Sequence, residues 1–177
     1  MKIAVVRQKY VNYGGAEKFV SEYTTHLANA GHNIHIFANQ WKPSNHPNIR
    51  MHAVRTIELS SFLRTLSFAS FALQAVRAEP FDIVQSHERI WSQDVYRAGD
   101  GCHREWLERR ANYLPSFKRL SFRFNLFHQL VLKLEKEIFE SGQCKKIIAI
   151  SEMVKRDILK HYRLPDDKIE VVYNGVR

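Results

Sequence analysis

Two sets of residues in this chain have types and spacing that suit chemistry: a glycine pair between a strand and a helix, and an aspartate set between glycines with basic neighbours. Gly14 and Gly15 follow the short apolar run Lys2–Arg7 (KIAVVR) and precede a helical apolar stripe. At such a junction unpaired backbone N–H groups face outward at the positive end of a helix dipole, which suits an anion. The competing reading is a tight turn that needs glycine and binds nothing, and the position after the first strand favours the anion. The spacing is not G-x-G-x-x-G, so a nicotinamide dinucleotide is a poor fit. Asp100 lies between Gly99 and Gly101, just past another strand-like run. A carboxylate there can take a proton or hold a hydroxyl, although Gly-Asp-Gly is also ordinary turn chemistry. His87, Glu88, Arg89, His103 and Arg104 also follow expected strand ends. The guanidinium forks of Arg89 and Arg104 suit phosphate oxygens, whereas His87 reads first as a histidine satisfied by local backbone. The nine histidines and two cysteines, Cys102 and Cys144, are scattered without ligand spacing, so no metal site is expected.

These residues need a frame, and the apolar periodicity supplies one. After the first strand, Ala16, Phe19, Val20, Tyr23, Leu27 and Ala30 keep helical spacing, with Gly31 where a C-terminal cap belongs. Strands are expected at Asn33–Ala38, Arg50–Arg55, Asp82–Ser86, Asp94–Ala98, Lys146–Ile150 and Ile169–Tyr173, and a helix from about Phe62 to Ala78. Ser151 should cap a helix running to about Tyr162, with a turn at Asp166-Asp167 after Pro165. The order β-α-β-β-α-β predicts an α/β fold, a doubly wound and mostly parallel sheet in one domain spanning residues 1–177. Ligands of such sheets bind beyond the C-terminal ends of the strands.

Ser116–Glu140 reads as one long helix, because Phe117, Leu120, Phe124, Phe127, Val131, Leu134 and Ile138 recur at three and four. Its other face sets Phe122 and Leu126 among Lys118, Arg119, Arg123 and Lys133. Two readings stay open: a cationic, apolar face lying on an anionic membrane surface, or a helix buried on both sides. The net charge is +9, and Arg109–Lys133 holds six cations and no acid. Such a band suits nucleic acid, an anionic membrane or a phosphorylated substrate. Nucleic acid ranks last, since no recognised module is present and the aromatics keep core spacing. Too few cysteines for a disulfide framework, no apolar run of spanning length and no signal-peptide layout predict a soluble intracellular chain.

Three segments carry a resemblance. Gly14-Gly15-Ala16-Glu17, DIVQSH at Asp82–His87 and ISEMVKRDILKHYRLPDDKIEVVYNGV at Ile150–Val176 resemble the N-terminal half of a GT-B glycosyltransferase, of the large retaining family (family 4 type) that takes nucleotide-sugar donors. Within it QKYVNYGGAEK, DVYRAGDGCHREWL and FESGQCKKIIAIS are similar to the lipopolysaccharide-core glucosyltransferase I type. The resemblance implies a Rossmann-like acceptor-side domain whose nucleotide-sugar partner domain, with its acidic and basic donor grips, lies outside this chain, so that the chain alone lacks turnover. It implies Gly14 and Gly15 at the donor diphosphate and Asp100 beside the sugar at the reacting centre. Arg89, His103 and Arg104 would meet a phosphorylated, lipid-linked acceptor. The donor would be a nucleoside diphosphate sugar, UDP-glucose in the first instance, with no cofactor or metal, and the work would be done at the cytoplasmic membrane face. The rival expectation is a membrane- or acceptor-binding module without catalysis.

Overall fold

The computed structural model describes residues 1–10, 15–41, 44–115, 122 and 124–175. Lys2–Val6 (β1) is apolar and buried from Ile3 to Val6, as a central strand covered on both faces must be. It pairs in parallel with Asn33–Ala38 and with Ile83–Ser86. Lys9–Tyr10 (β2) and Gln40–Trp41 (β4) form a separate two-stranded ribbon. The remaining strands are Asn33–Ala38 (β3), Ile49–Ala53 (β5), Ile83–Ser86 (β6), Val95–Ala98 (β7), Lys146–Ala149 (β8) and Ile169–Val171 (β9). They build one seven-stranded sheet in the order β5-β3-β1-β6-β7-β8-β9, with every pairing parallel. The doubly wound expectation holds.

The helices are Gly15–Asn29 (α1), Ser61–Arg77 (α2), His103–Asn112 (α3), Leu126–Glu140 (α4) and Glu152–His161 (α5). Side chains alternate across a strand, so each helix stripe meets one set of strand positions. Val20 and Ala28 of α1 pack on Ile3, Val5, Ile34 and Ile36. On the other face Phe68, Ala69 and Ala72 of α2, with Leu130 and Leu134 of α4, cover Ala4, Val6 and Phe37. A third cluster joins Ile138 and Phe139 of α4 to Val154 and Ile158 of α5 over Tyr96 and Ile147. Fully burying an aliphatic side chain of this size stabilises by roughly 1.5–3 kcal/mol, so these three clusters hold the strand ends that carry the site.

Local signals behave as the side chains require. Gly31 has φ +86°, the left-handed cap expected after α1. Ser60 and Ser151 accept from the N–H groups of Leu63 and Val154 at the starts of α2 and α5. The long helix does not run through: Asn125 takes φ −76° and ψ 110°, and its side chain accepts from Phe127 and His128, so α4 starts at Leu126. A good N-cap outweighs uninterrupted periodicity here, because it satisfies N–H groups that a helix end leaves without partners. Phe124, expected in the buried stripe, is 71% exposed. Phe117 and Leu120 lie outside the described residues. Helix α3 is a helix that periodicity did not predict, since Glu105 alone is buried along it. Its signal was a stretch free of glycine, proline and β-branched residues with Glu105 and Arg109 one turn apart. No helix among the described residues is long and apolar enough to cross a membrane.

Candidate functional site

Because every strand of the sheet is parallel, the segments after β1, β6 and β7 emerge at one edge. There lies a cleft of about 230 Å³, lined by Gln8, Arg64, Glu88, Arg89, Asp100 and Phe127 among others. Asp100 stands at its rim, with 56% of its side chain exposed and Oδ2 3.9 Å from Nη1 of Arg89. Glu88 joins the β1 and β6 ends: its Oε1 accepts from the Gln8 N–H at 3.2 Å and lies 3.3 Å from Nη1 of Arg7. Burial raises the Glu88 pKa, Arg7 opposes this, and nearby Asp100 adds to it. The cleft thus sets a half-buried carboxyl and an open one beside two guanidinium groups.

Arg89 is held from behind. Its Nε donates to Oε1 of Glu135 at 3.1 Å and its Nη2 to the Gly101 carbonyl at 3.0 Å. Glu135 has a fully buried side chain. It also accepts from the backbone N–H groups of His103 and Arg104, at 2.6 and 3.3 Å, and from the Tyr162 hydroxyl at 2.8 Å. One carboxylate from α4 therefore caps the start of α3 and neutralises the cleft arginine. Burial would lower the Arg89 pKa, but Tyr96, Glu135 and Asp100 outweigh it, so Arg89 stays charged.

The loop that presents Asp100 has its own geometry. Gly101 has φ +72°, and a side chain there would strain a backbone whose carbonyl holds Arg89. Gly101→Ala should cost about 1–2 kcal/mol, read as a lower urea midpoint with unchanged slope. At Gly99 an added Cβ would sit 2.9 Å from Nη1 of Arg97, so that guanidinium would have to shift.

Arg97 belongs to a second basic group on the α1 side of the same edge. Its guanidinium lies 3.9 Å over the Phe19 ring, and its Nη2 donates to Oδ1 of Asn174. The Tyr23 hydroxyl donates to Oε1 of Gln85 at 2.7 Å, and Gln85 Nε2 approaches His87 Nε2 at 3.1 Å. With the amide donating, the imidazole hydrogen sits on Nδ1, which is buried without a hydrogen-bond partner among the described residues. Burial, then Arg97 and Arg7, pushes His87 down to about 3. The unfolded chain takes up this proton near pH 6.5. Between those two values the unfolded state holds more protons, so stability falls as pH drops. The full shift is worth on the order of 4 kcal/mol. Urea melts between about pH 7 and pH 4 should show that slope, and His87→Gln should flatten much of it.

The expected site residues divide between several places. Asp100 and Arg89 share the cleft. Gly15 is the first residue of α1, at the same sheet edge, and Gly14 lies outside the described residues. His103 stacks on Trp106 with centroids 5.4 Å apart, and its Nε2 is 3.1 Å from Nδ1 of His128. Burial, with Arg89 adding to it, lowers His103 to about 4. Arg104 lines a different cavity, with Lys133, Lys136 and His161. In the basic segment Leu126 is 62% exposed and Phe122 packs edge-on against His128 at 5.4 Å, while Lys118, Arg119 and Arg123 lie outside the described residues. Sequence reasoning missed Glu135, Arg97 and Arg7. All three owe their roles to partners far along the chain, and only the unusual Glu135 in an apolar stripe was a visible signal.

The comparisons with known proteins agree with this architecture. The lipopolysaccharide glucosyltransferase WaaG of Escherichia coli K12 is 20% identical over 176 residues, which cover 99% of this chain and 45% of that protein. The crystal structure of WaaG, a glycosyltransferase involved in lipopolysaccharide biosynthesis, superposes with a TM-score of 0.84 at 19% identity, again over 99% of this chain and 45% of the other. Sucrose-phosphate synthase from Thermosynechococcus elongatus has a TM-score of 0.66 at 12% identity, over 99% of this chain and 48% of its own. The chain thus spans about half the length of the relatives it matches, and at these identities the structural likeness speaks for the fold. The family model of Glycosyltransferase Family 4 matches residues 13–177, so this chain belongs to that family.

Proposed function

We propose that this chain is the acceptor-side, Rossmann-like domain of a retaining glycosyltransferase. The enzyme would transfer a hexose, glucose in the first instance, from a nucleoside diphosphate sugar such as UDP-glucose to a lipopolysaccharide-core or similar phosphorylated, lipid-linked acceptor. The observation that carries this reading is the cleft in which Asp100 stands beside Arg89 and Arg64, at the sheet edge where α1 begins. Family membership and the name of the E. coli relative support the reaction class. In this reading Asp100 holds the reacting hydroxyl or takes its proton. Arg64 and the Arg89 Nη1 edge meet acceptor phosphates, and the start of α1, at Gly14-Gly15, faces the diphosphate. His103 and Arg104 extend the acceptor-binding surface beyond the cleft. The leaving diphosphate is stabilised by donors of a second, nucleotide-sugar domain, and this chain without it does not turn over.

The test is a transfer assay on this chain with and without such a domain joined to it, using labelled UDP-glucose and heptose-phosphate core acceptor. Transfer that needs both halves and fails without acceptor supports the proposal. Acceptor binding to the chain with no transfer in any combination would leave a non-catalytic binding module instead.

A second reading, compatible with the first, is peripheral attachment to the inner face of the plasma membrane. It is favoured by Tyr113, Phe124 and Leu126, which are 88%, 71% and 62% exposed around the basic segment that includes Lys118, Arg119, Phe122 and Arg123. Apolar side chains among cations suit an anionic lipid surface. Co-sedimentation with anionic vesicles should fall as salt rises and drop further in a Phe124→Ser, Leu126→Ser variant; binding to neutral vesicles alone would contradict this.

A further inference from the structure

Away from the cleft, the fold brings three potential ligand atoms together that the sequence keeps apart. His35 of β3 and His52 of β5 lie on the sheet face covered by α2, and Glu79 follows the end of α2. His35 Nδ1 is 2.9 Å from His52 Nε2 and 3.2 Å from Oε1 of Glu79, and His52 Nε2 is 4.0 Å from that same oxygen. We propose that His35 Nδ1, His52 Nε2 and Glu79 Oε1 form a divalent transition-metal site of the zinc type, independent of the sugar-transfer cleft.

The geometry fits the ion. Zinc takes imidazole nitrogen and carboxylate oxygen at about 2.0–2.2 Å in a tetrahedral arrangement, which sets neighbouring ligand atoms roughly 3.3–3.5 Å apart. The three observed separations bracket that value, so shifts of a few tenths of an ångström complete the set. The division of labour at Glu79 matters: Oε2 is taken by Lys2 Nζ at 2.6 Å, which anchors the carboxylate and leaves Oε1 turned to the imidazoles. His35 is clamped, with its ring 5.1 Å from that of Phe81 and stacked at 4.9 Å on His52, so the donors are held before any ion arrives. A polar cavity of about 240 Å³, lined by Lys2, Asn33, His35, Asn48 and Arg50, opens beside His35 and gives solvent a route to it. On binding, the hydrogen between the two rings moves to the other nitrogen of the ring that carries it, so both imidazoles remain neutral. Lys2 and Arg50 lie close by and repel a cation, which weakens binding relative to a site without them.

The other histidine–carboxylate group among the described residues does not compete. Glu105, Glu108 and His161 come together, but Lys160 and Arg109 already occupy Glu105 at 2.7 and 2.8 Å. Those ammonium and guanidinium groups stand where an ion would be. An ion on the first group would instead tie edge strand β5 and the α2–β6 connection to β3, a structural role.

The experiment uses the untagged chain, metal-free, titrated with Co²⁺ and then Zn²⁺. Visible d–d bands of a four-coordinate Co²⁺ should grow to one equivalent and be displaced by Zn²⁺, and the melting temperature should rise with Zn²⁺ concentration. His52→Ala and Glu79→Gln should each weaken binding by at least about tenfold, while His26→Ala, on the exposed side of α1, should leave it unchanged. Glu79→Gln keeps the side-chain shape, so a folding failure of His52→Ala would not decide the outcome. No four-coordinate Co²⁺ spectrum in the unmodified chain overturns the proposal, as does undiminished binding in a folded Glu79→Gln or His52→Ala protein, or binding lost in His26→Ala.

Discussion

Asp100→Asn, in this chain joined to a nucleotide-sugar domain, lowers the turnover number for sugar transfer by about 10²–10⁴-fold, the range for losing a group that handles a proton in the transition state. The melting curve should hardly move. More than half of the Asp100 side chain is exposed, and its one ion contact among the described residues, to Arg89, is 3.9 Å long at the rim of the cleft. Exposed pairs of that length contribute little to stability. Asparagine keeps the shape and the turn preference, so the loop between Gly99 and Gly101 should survive. The diagnostic is the split between constants: kcat falls while KM for acceptor stays within a few-fold, because the interaction is made in the transition state. An Asp100→Asn enzyme with unchanged kcat would reduce Asp100 to a turn residue. A rise in KM alone would assign it to acceptor binding.

Glu135→Ala is expected to cost about 3–5 kcal/mol, since it leaves the Arg89 guanidinium buried without its counter-charge. The same carboxylate satisfies the N–H groups of His103 and Arg104 and the Tyr162 hydroxyl, so its loss also uncaps α3 and loosens α3 against α5. Burial, Glu135 and the hydrogen bond to it hold the Tyr162 hydroxyl far above its ordinary pKa, so it stays a donor to that carboxylate. Two measurements separate these contributions. Urea denaturation gives the total, and the double variant Glu135→Met, Arg89→Met should recover only the part due to the unpaired charge, since the N–H groups of His103 and Arg104 and the Tyr162 hydroxyl still lack their acceptor. Hydrogen exchange should report faster opening of the first turn of α3 than in the parent in both variants, because both lose the cap. A Glu135→Ala protein within about 1 kcal/mol of the parent would mean that cleft water replaces the carboxylate at Arg89 and at the α3 N–H groups, and that Glu135 is not the hub of the site.

What was legible in the residues themselves is what short-range physics controls. Apolar stretches two and three to four residues in period set β1, β3, α1 and α2 to within a residue or two, and Gly31 and Ser151 marked helix ends through their own backbone and side-chain geometry. The alternation of those elements was enough for a parallel doubly wound sheet, and the strand-end position of Asp100 for a residue at the cleft edge. Tertiary structure alone decided the rest. The end of the expected long helix is the exception, a local one: the Asn125 side chain reaches N–H groups two and three residues on, a signal that periodicity does not register. Arg89 and Arg104 look equivalent as basic residues after strand ends, yet one faces the cleft and the other a separate cavity on α4. Glu135 became the hub of the site through partners 32 and 46 residues away, and His35, His52 and Glu79 met through strand register and the end of α2. Such contacts depend on which strands lie side by side, and that is set by burial summed over the whole chain rather than by any residue's neighbours in sequence.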